Sequence, residues 1–245
     1  MTSLHYRRVA ILLGCLSLSC VKPDQPQSAR TESASSTVPI NEPAATSTPL
    51  SGPRLMSDSS AKEPFFSVAA RELLLHLPPS MVRELNDSLP GFAPIQRSLY
   101  EPSLVQFADG RADDNREIGQ TLNDSLAFYA LSAAIGDFDG DSTSDVAILG
   151  NSRDSTAAVF VLAPSRVRQQ PKVIFISRPR AADHLNREST YLNLVRAGPV
   201  RVFDEDDKSP PFQLKTDGVE FAYFEKGAEV FFLEHGVVQS LITSD

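Results

Sequence analysis

The chain is 245 residues long with a formal net charge of −8 at pH 7, and removal of a leader that carries Arg7 and Arg8 subtracts two positive charges to leave −10. So acidic a protein is excluded from nucleic-acid binding, which needs a basic stripe and counterion release. Both cysteines, Cys15 and Cys20, fall in the first twenty residues, so the folded part can form neither a disulfide nor a cysteine metal site. Tryptophan is absent and fourteen phenylalanines stand against five tyrosines, an aromatic content suited to filling a core.

Residues 1–8 are a short basic start, and residues 9–18 form an apolar run that fits a secretory signal and is too short to span a membrane. Leu16-Ser17-Leu18-Ser19-Cys20 resembles the lipobox of bacterial lipoproteins. Leu12-Leu13-Gly14-Cys15 is the alternative, but it leaves six residues after Arg8, whereas Cys20 leaves an apolar region of sufficient length. The resemblance implies a signal peptide over 1–19, lipidation of Cys20 and attachment to a membrane, since several acyl chains anchor more firmly than one. By resemblance to enterobacterial sorting, the lack of Asp at Val21-Lys22 implies the outer membrane. From 20 to 62 the chain is rich in Ser, Thr, Ala and Pro, with prolines at 23, 26, 39, 43, 49 and 53. Such a segment buries too little surface to offset its ordering entropy and is expected to be a tether about 35 Å in average span.

Residues 65–77 combine Phe65-Phe66 with a leucine run and stop at Pro78-Pro79, which predicts a helix. Ser80 is the expected N-cap of a second helix over 81–89, with Val82, Leu85 and Leu89 on one face and Pro90-Gly91 after it. Residues 92–100 read as irregular. Asp109-Gly110-Arg111-Ala112-Asp113-Asp114 reads as a solvated loop, because Arg111 stands where a metal ligand would. Residues 125–135, 146–149, 157–163 and 172–177 have the apolar, β-branched character of strands. Residues 191–195 and 200–203 read likewise, and 219–224, 229–233 and 237–242 form three runs joined by Glu225-Lys226-Gly227 and Glu234-His235-Gly236. Glycine in each connection suits tight turns, so these runs predict an antiparallel meander. The expected fold class is α+β, with short N-terminal helices before a mainly antiparallel sheet, in one domain over 63–245.

The chemistry concentrates in Gly136-Asp137-Phe138-Asp139-Gly140-Asp141-Ser142-Thr143-Ser144-Asp145-Val146-Ala147. Calcium takes six to eight oxygens, and a tight loop presents alternate side chains to one centre. Asp137, Asp139, Asp141 and Asp145 occupy positions 1, 3, 5 and 9, and the carbonyl of Thr143 falls at position 7. An EF-hand would need Glu where Ile148 stands, and helices where β-like segments flank the loop. The segment resembles the FG-GAP (or VCBS) repeat, which implies a strand, a calcium loop and a second strand. It departs at Ser142, where the family usually has Gly. A single copy in this chain does not make a β-propeller.

No nucleophile elbow, helical zinc motif or phosphate loop is present. His76, His184 and His235 lie far apart and are expected to be structural, and Asp204-Glu205-Asp206-Asp207 reads as a solvated loop. The sequence therefore points to a lipid-anchored protein of the cell envelope with a calcium-braced, non-enzymatic binding or structural domain and a protein or glycan partner. The alternative is a periplasmic or surface hydrolase using paired carboxylates, which leave no local signature.

Overall fold

The computed structural model describes residues 50–117, 126–127, 129–152, 155–166, 168–177, 188–204, 209–224 and 226–244. The leader, both cysteines, the tether up to residue 49, His184 and residues 205–207 lie outside the described residues. In chain order the elements are β1 (Ser51–Ser57), β2 (Phe65–Ala69), β3 (Glu72–Leu77), α1 (Pro79–Ser88), β4 (Ala93–Pro94), a 3-10 turn (Arg97–Leu99), α2 (Pro102–Glu117) and β5 (Ala133–Gly136). They continue with β6 (Asp145–Ser152), β7 (Ser155–Leu162), β8 (Lys172–Ser177), β9 (Thr190–Val195), β10 (Gly198–Val200), β11 (Phe212–Leu214), β12 (Gly218–Tyr223), β13 (Gly227–Glu234) and β14 (Val237–Ser244).

The molecule is mostly β, which overturns the expected helix-led α+β class. Residues 65–77, expected as a helix, are the hairpin β2–β3, turned at Ala70 and Arg71 with φ of 49° and 65°. Tertiary burial overrides local propensity here: Phe66, Leu73, Leu75 and Leu77 enter the core while Ser67, Leu74 and His76 share the opposite face, a period of two. β1 lies within the 20–62 stretch expected as tether, and it pairs in parallel with β3.

α1 begins at Pro79 and carries no side-chain cap, so Ser80 sits inside the first turn instead of capping it. Met81 and Leu85 are its buried residues, with Val82 and Leu89 packed beside them. Residues 109–114, expected as a solvated loop, belong to α2. Leu104 and Ala108, four residues apart, bury its inner face, and Asp109 pairs with the buried guanidinium of Arg97, which also donates to the carbonyl of Tyr129. The expected strand over 125–135 shortens to β5 at its C-terminal end.

The central sheet contains β6 and β7, with β8 beyond β7 and both β4 and β5 paired to β6. Its two faces serve different cores. Val146, Ile148, Val159 and Val161 meet β1–β3 and α1, whereas Ala147, Leu149, Ala158 and Phe160 meet the β9, β12 and β13 side chains Leu192, Val219, Phe221 and Phe231. Burial on both faces is why β6 and β7 read as unbroken apolar runs rather than alternating ones. The meander adds β9 to β12–β14, giving the order β14-β13-β12-β9.

Replacing the fully buried Phe160 with Ala should lower the free energy of unfolding by about 3–5 kcal/mol. The same truncation at Val237, 57 % exposed on β14, should change it by less than about 0.5 kcal/mol. Urea denaturation of the two variants measures both.

Candidate metal centre

The acidic loop is the connection of the β5–β6 hairpin, in which Gly136 pairs with Asp145. The chain turns around the carboxylate of Asp137: the N–H groups of Gly140 and Asp141 donate to its Oδ1 at 2.8 and 3.0 Å, and that of Ser142 to its Oδ2 at 3.0 Å. Two positions of the turn are left-handed, Gly140 at φ 78° and Ser142 at φ 67°. A side chain on Gly140 would begin 2.9 Å from Thr216 Cγ2, so glycine is needed there on two grounds. Ser142 bears the strain that glycine would avoid.

Asp145 has no exposed surface. Its Oδ2 accepts the N–H of Phe138 at 3.2 Å and its Oδ1 that of Ala163 at 2.7 Å, so it joins the loop to the end of β7. Burial pushes its carboxyl up to about 7 against the pull of the Ala163 N–H; Asp139 and Asp141 push the same way and Arg168 opposes them. At Asp141 burial also acts upward, but hydrogen bonds from Ser165 and Thr143 and the charge of Arg168 outweigh it and hold that carboxyl below its ordinary range.

Of the expected ligands, Asp137, Asp139 and Asp145 place one carboxylate oxygen each within 4.8 Å of one another, a triad that can hold a metal ion. Asp141 stands beside it, and Thr143 enters through its N–H, which donates to Asp141 Oδ1 at 2.9 Å. No sequence signal marks Arg168, which lies 23 residues beyond Asp145 and is aimed into the loop from beyond β7. Its guanidinium donates to Asp139, lies 3.7 Å from Asp141 and 3.9 Å from Asp145, and donates to the carbonyl of Ala163 at 2.5 Å. Positive charge is thus already present against three of the four carboxylates.

Asp217, also unforeseen, fastens the loop to the meander. It is 8 % exposed, receives the Asp137 N–H at 3.1 Å and the Ala197 N–H at 2.9 Å, pairs with Arg196, and donates its own N–H to the carbonyl of Asp137 at 3.0 Å. A cleft of about 470 Å³ opens beside it, with Gly136, Asp137, Thr143, Leu194 and Arg196 in its walls. Asp145 does not line this cleft.

His76 and Asp58 lie 3.0 Å apart on β3 and just after β1, and His235 sits in the β13–β14 turn at φ 53°. No family model, curated protein or solved structure matches the chain.

In chelator, stability should fall as pH rises. The folded-state pKa of Asp145 is raised, so its stabilising contribution is full below the ordinary carboxylate pKa of about 3.8 and is lost as pH climbs through about 7, at no more than about 1.4 kcal/mol per pH unit. Denaturant melts between those values measure the slope. Ser142→Gly should raise stability by up to about 1 kcal/mol by relieving the left-handed serine.

Proposed function

We propose that the acidic loop binds calcium and that the ion acts as a structural brace between the central sheet and the meander. The single observation that supports this is the convergence of Asp137, Asp139 and Asp145 on one point within a β-hairpin. The donors are all carboxylate oxygens, the chemistry of a hard cation, and the loop leaves backbone carbonyls and water to complete the six to eight oxygens calcium takes. Full entry of the ion requires the Arg168 guanidinium to withdraw from Asp139, so the arginine lowers affinity while compensating the carboxylates in the ion's stead.

The carboxyl with the raised pKa, Asp145, is enclosed between strands and outside the cleft, which favours a bracing role for the loop over hydrolysis by paired carboxylates. The cleft beside Asp217 and Arg196 is the place at which such a braced domain would meet a protein or glycan partner. Lipidation of Cys20 would hold the domain at the cell envelope, on the outer membrane.

At an affinity typical of extracellular modules, millimolar calcium should add roughly 0.4 to 1.4 kcal/mol of stability. Thermal melts with calcium and with chelator measure the difference, and Asp139→Ala with Asp141→Ala should abolish it. Arg168→Gln should tighten calcium binding by calorimetry while destabilising the metal-free protein. A wild-type melt indifferent to calcium rules the brace out. Cys20→Ala should lose lipid labelling and membrane association, and continued lipidation of that variant moves the site to Cys15.

A further inference from the structure

Asp58, His76 and Ser67 form a continuous hydrogen-bonded chain on the side of the β1–β3–β2 sheet that faces away from the core. His76 Nδ1 lies 3.0 Å from Asp58 Oδ2, and His76 Nε2 lies 2.7 Å from Ser67 Oγ. The three residues come from separate segments, and sheet register brings them together. Phe65 pairs with His76 and Ser67 with Leu74, so Ser67 and His76 are diagonal neighbours on one face. Met56 and Ser57 pair with His76 and Leu77, and the Asp58 N–H donates to the Leu77 carbonyl, which clamps Asp58 beside the imidazole.

Each member is held. Asp58 Oδ1 accepts the Ser60 N–H at 2.8 Å and its hydroxyl at 2.6 Å, leaving Oδ2 for the imidazole. The Phe65 ring stacks on His76 with centroids 4.4 Å apart and planes 8° from parallel. The side chains of His76 and Asp58 are 16 % and 22 % exposed, and Ser67 is half-buried on the edge strand β2. An acid on Nδ1 and a hydroxyl on Nε2 is the arrangement in which a carboxylate orients a base and the base activates a nucleophile.

We propose that Ser67 is a nucleophile activated by His76 and oriented through Asp58, and that this face hydrolyses small carboxylic esters. With Nδ1–H directed at Asp58, His76 turns the Nε2 lone pair toward Ser67. Oγ attacks the ester carbonyl carbon, the new Oγ–C bond forms, and the hydroxyl proton passes to Nε2. Nε2–H then protonates the leaving alkoxide oxygen as the ester C–O bond breaks. Water, giving its proton to Nε2, attacks the acyl-serine; the Oγ–C bond breaks, Oγ recovers the proton, and the carboxylic acid leaves.

The triad lies outside the cleft beside Asp217. On a partly exposed face of a three-stranded sheet, small acyl groups with good leaving groups are the substrates that need least binding at remote positions.

The test is reaction of the full chain with a fluorophosphonate probe, with the adduct located by peptide mass spectrometry, and turnover of p-nitrophenyl acetate. Labelling should fall on Ser67 and vanish in Ser67→Ala. His76→Gln should slow it by about 100-fold or more, in keeping with a general-base contribution of about 10² to 10⁴. Ester turnover should fall to background in Ser67→Ala. A folded wild-type chain that gives no Ser67 adduct, or Ser67→Ala turnover equal to wild type, overturns the proposal, and neither result depends on whether the loop binds calcium.

Discussion

Asp145 puts a carboxylate where no water reaches it and uses both oxygens to hold backbone, the Phe138 N–H on one side and the Ala163 N–H on the other. Those two bonds fix the start of β6 against the turn that precedes it and the end of β7 that runs beside it. Phe138 and Phe160, with ring centroids 4.7 Å apart, fill the space beneath. A buried ionised group left without partners is costly, so the loop geometry and the strand ends depend on one another. The central sheet, which separates the two main cores, is positioned by this junction.

Charge around the junction is balanced from two directions. Arg168 brings a guanidinium to Asp139 and near Asp141 and Asp145, and Asp217 takes the loop backbone from the meander side while pairing with Arg196. Gly136 lets Asp217 approach, since a side-chain carbon there would lie 2.6 Å from Leu194 and 2.9 Å from the Asp217 carboxylate. Ser144 reaches the other way to Glu63 at 2.8 Å. The loop is consequently tied to all three layers, which gives a cation held there leverage on the whole domain.

The Asp58–His76–Ser67 chain belongs to a different sheet from the metal loop and uses a different device. Its precision comes from strand register, with β1 and β2 flanking β3, rather than from a loop that gathers ligands. Rigid strands hold side chains to tighter geometry than loops do. One domain thus carries an acidic centre and a hydrogen-bonded nucleophile whose chemistries are independent.

The sequence by itself determined the spacing of Asp137, Asp139, Asp141 and Asp145, the strand–loop–strand character around them, and the C-terminal meander, because each depends on neighbours within a dozen residues. It also marked Ser142 as the awkward position, and its φ of 67° bears that strain. Only the tertiary structure decided that residues 65–77 are a hairpin, since Ala, Glu and Leu favour a helix until a core on one side imposes a period of two. The same holds for α2, whose Asp109 looked solvent-bound until the buried Arg97 faced it. Arg168 and Asp217 at the loop were invisible because they act across 29 and 80 residues, a range at which electrostatics and hydrogen bonding exist only once the sheets have packed. Ser67 and His76 are only nine residues apart, and what hid their pairing is that it needs the β2–β3 register in place of the expected helix.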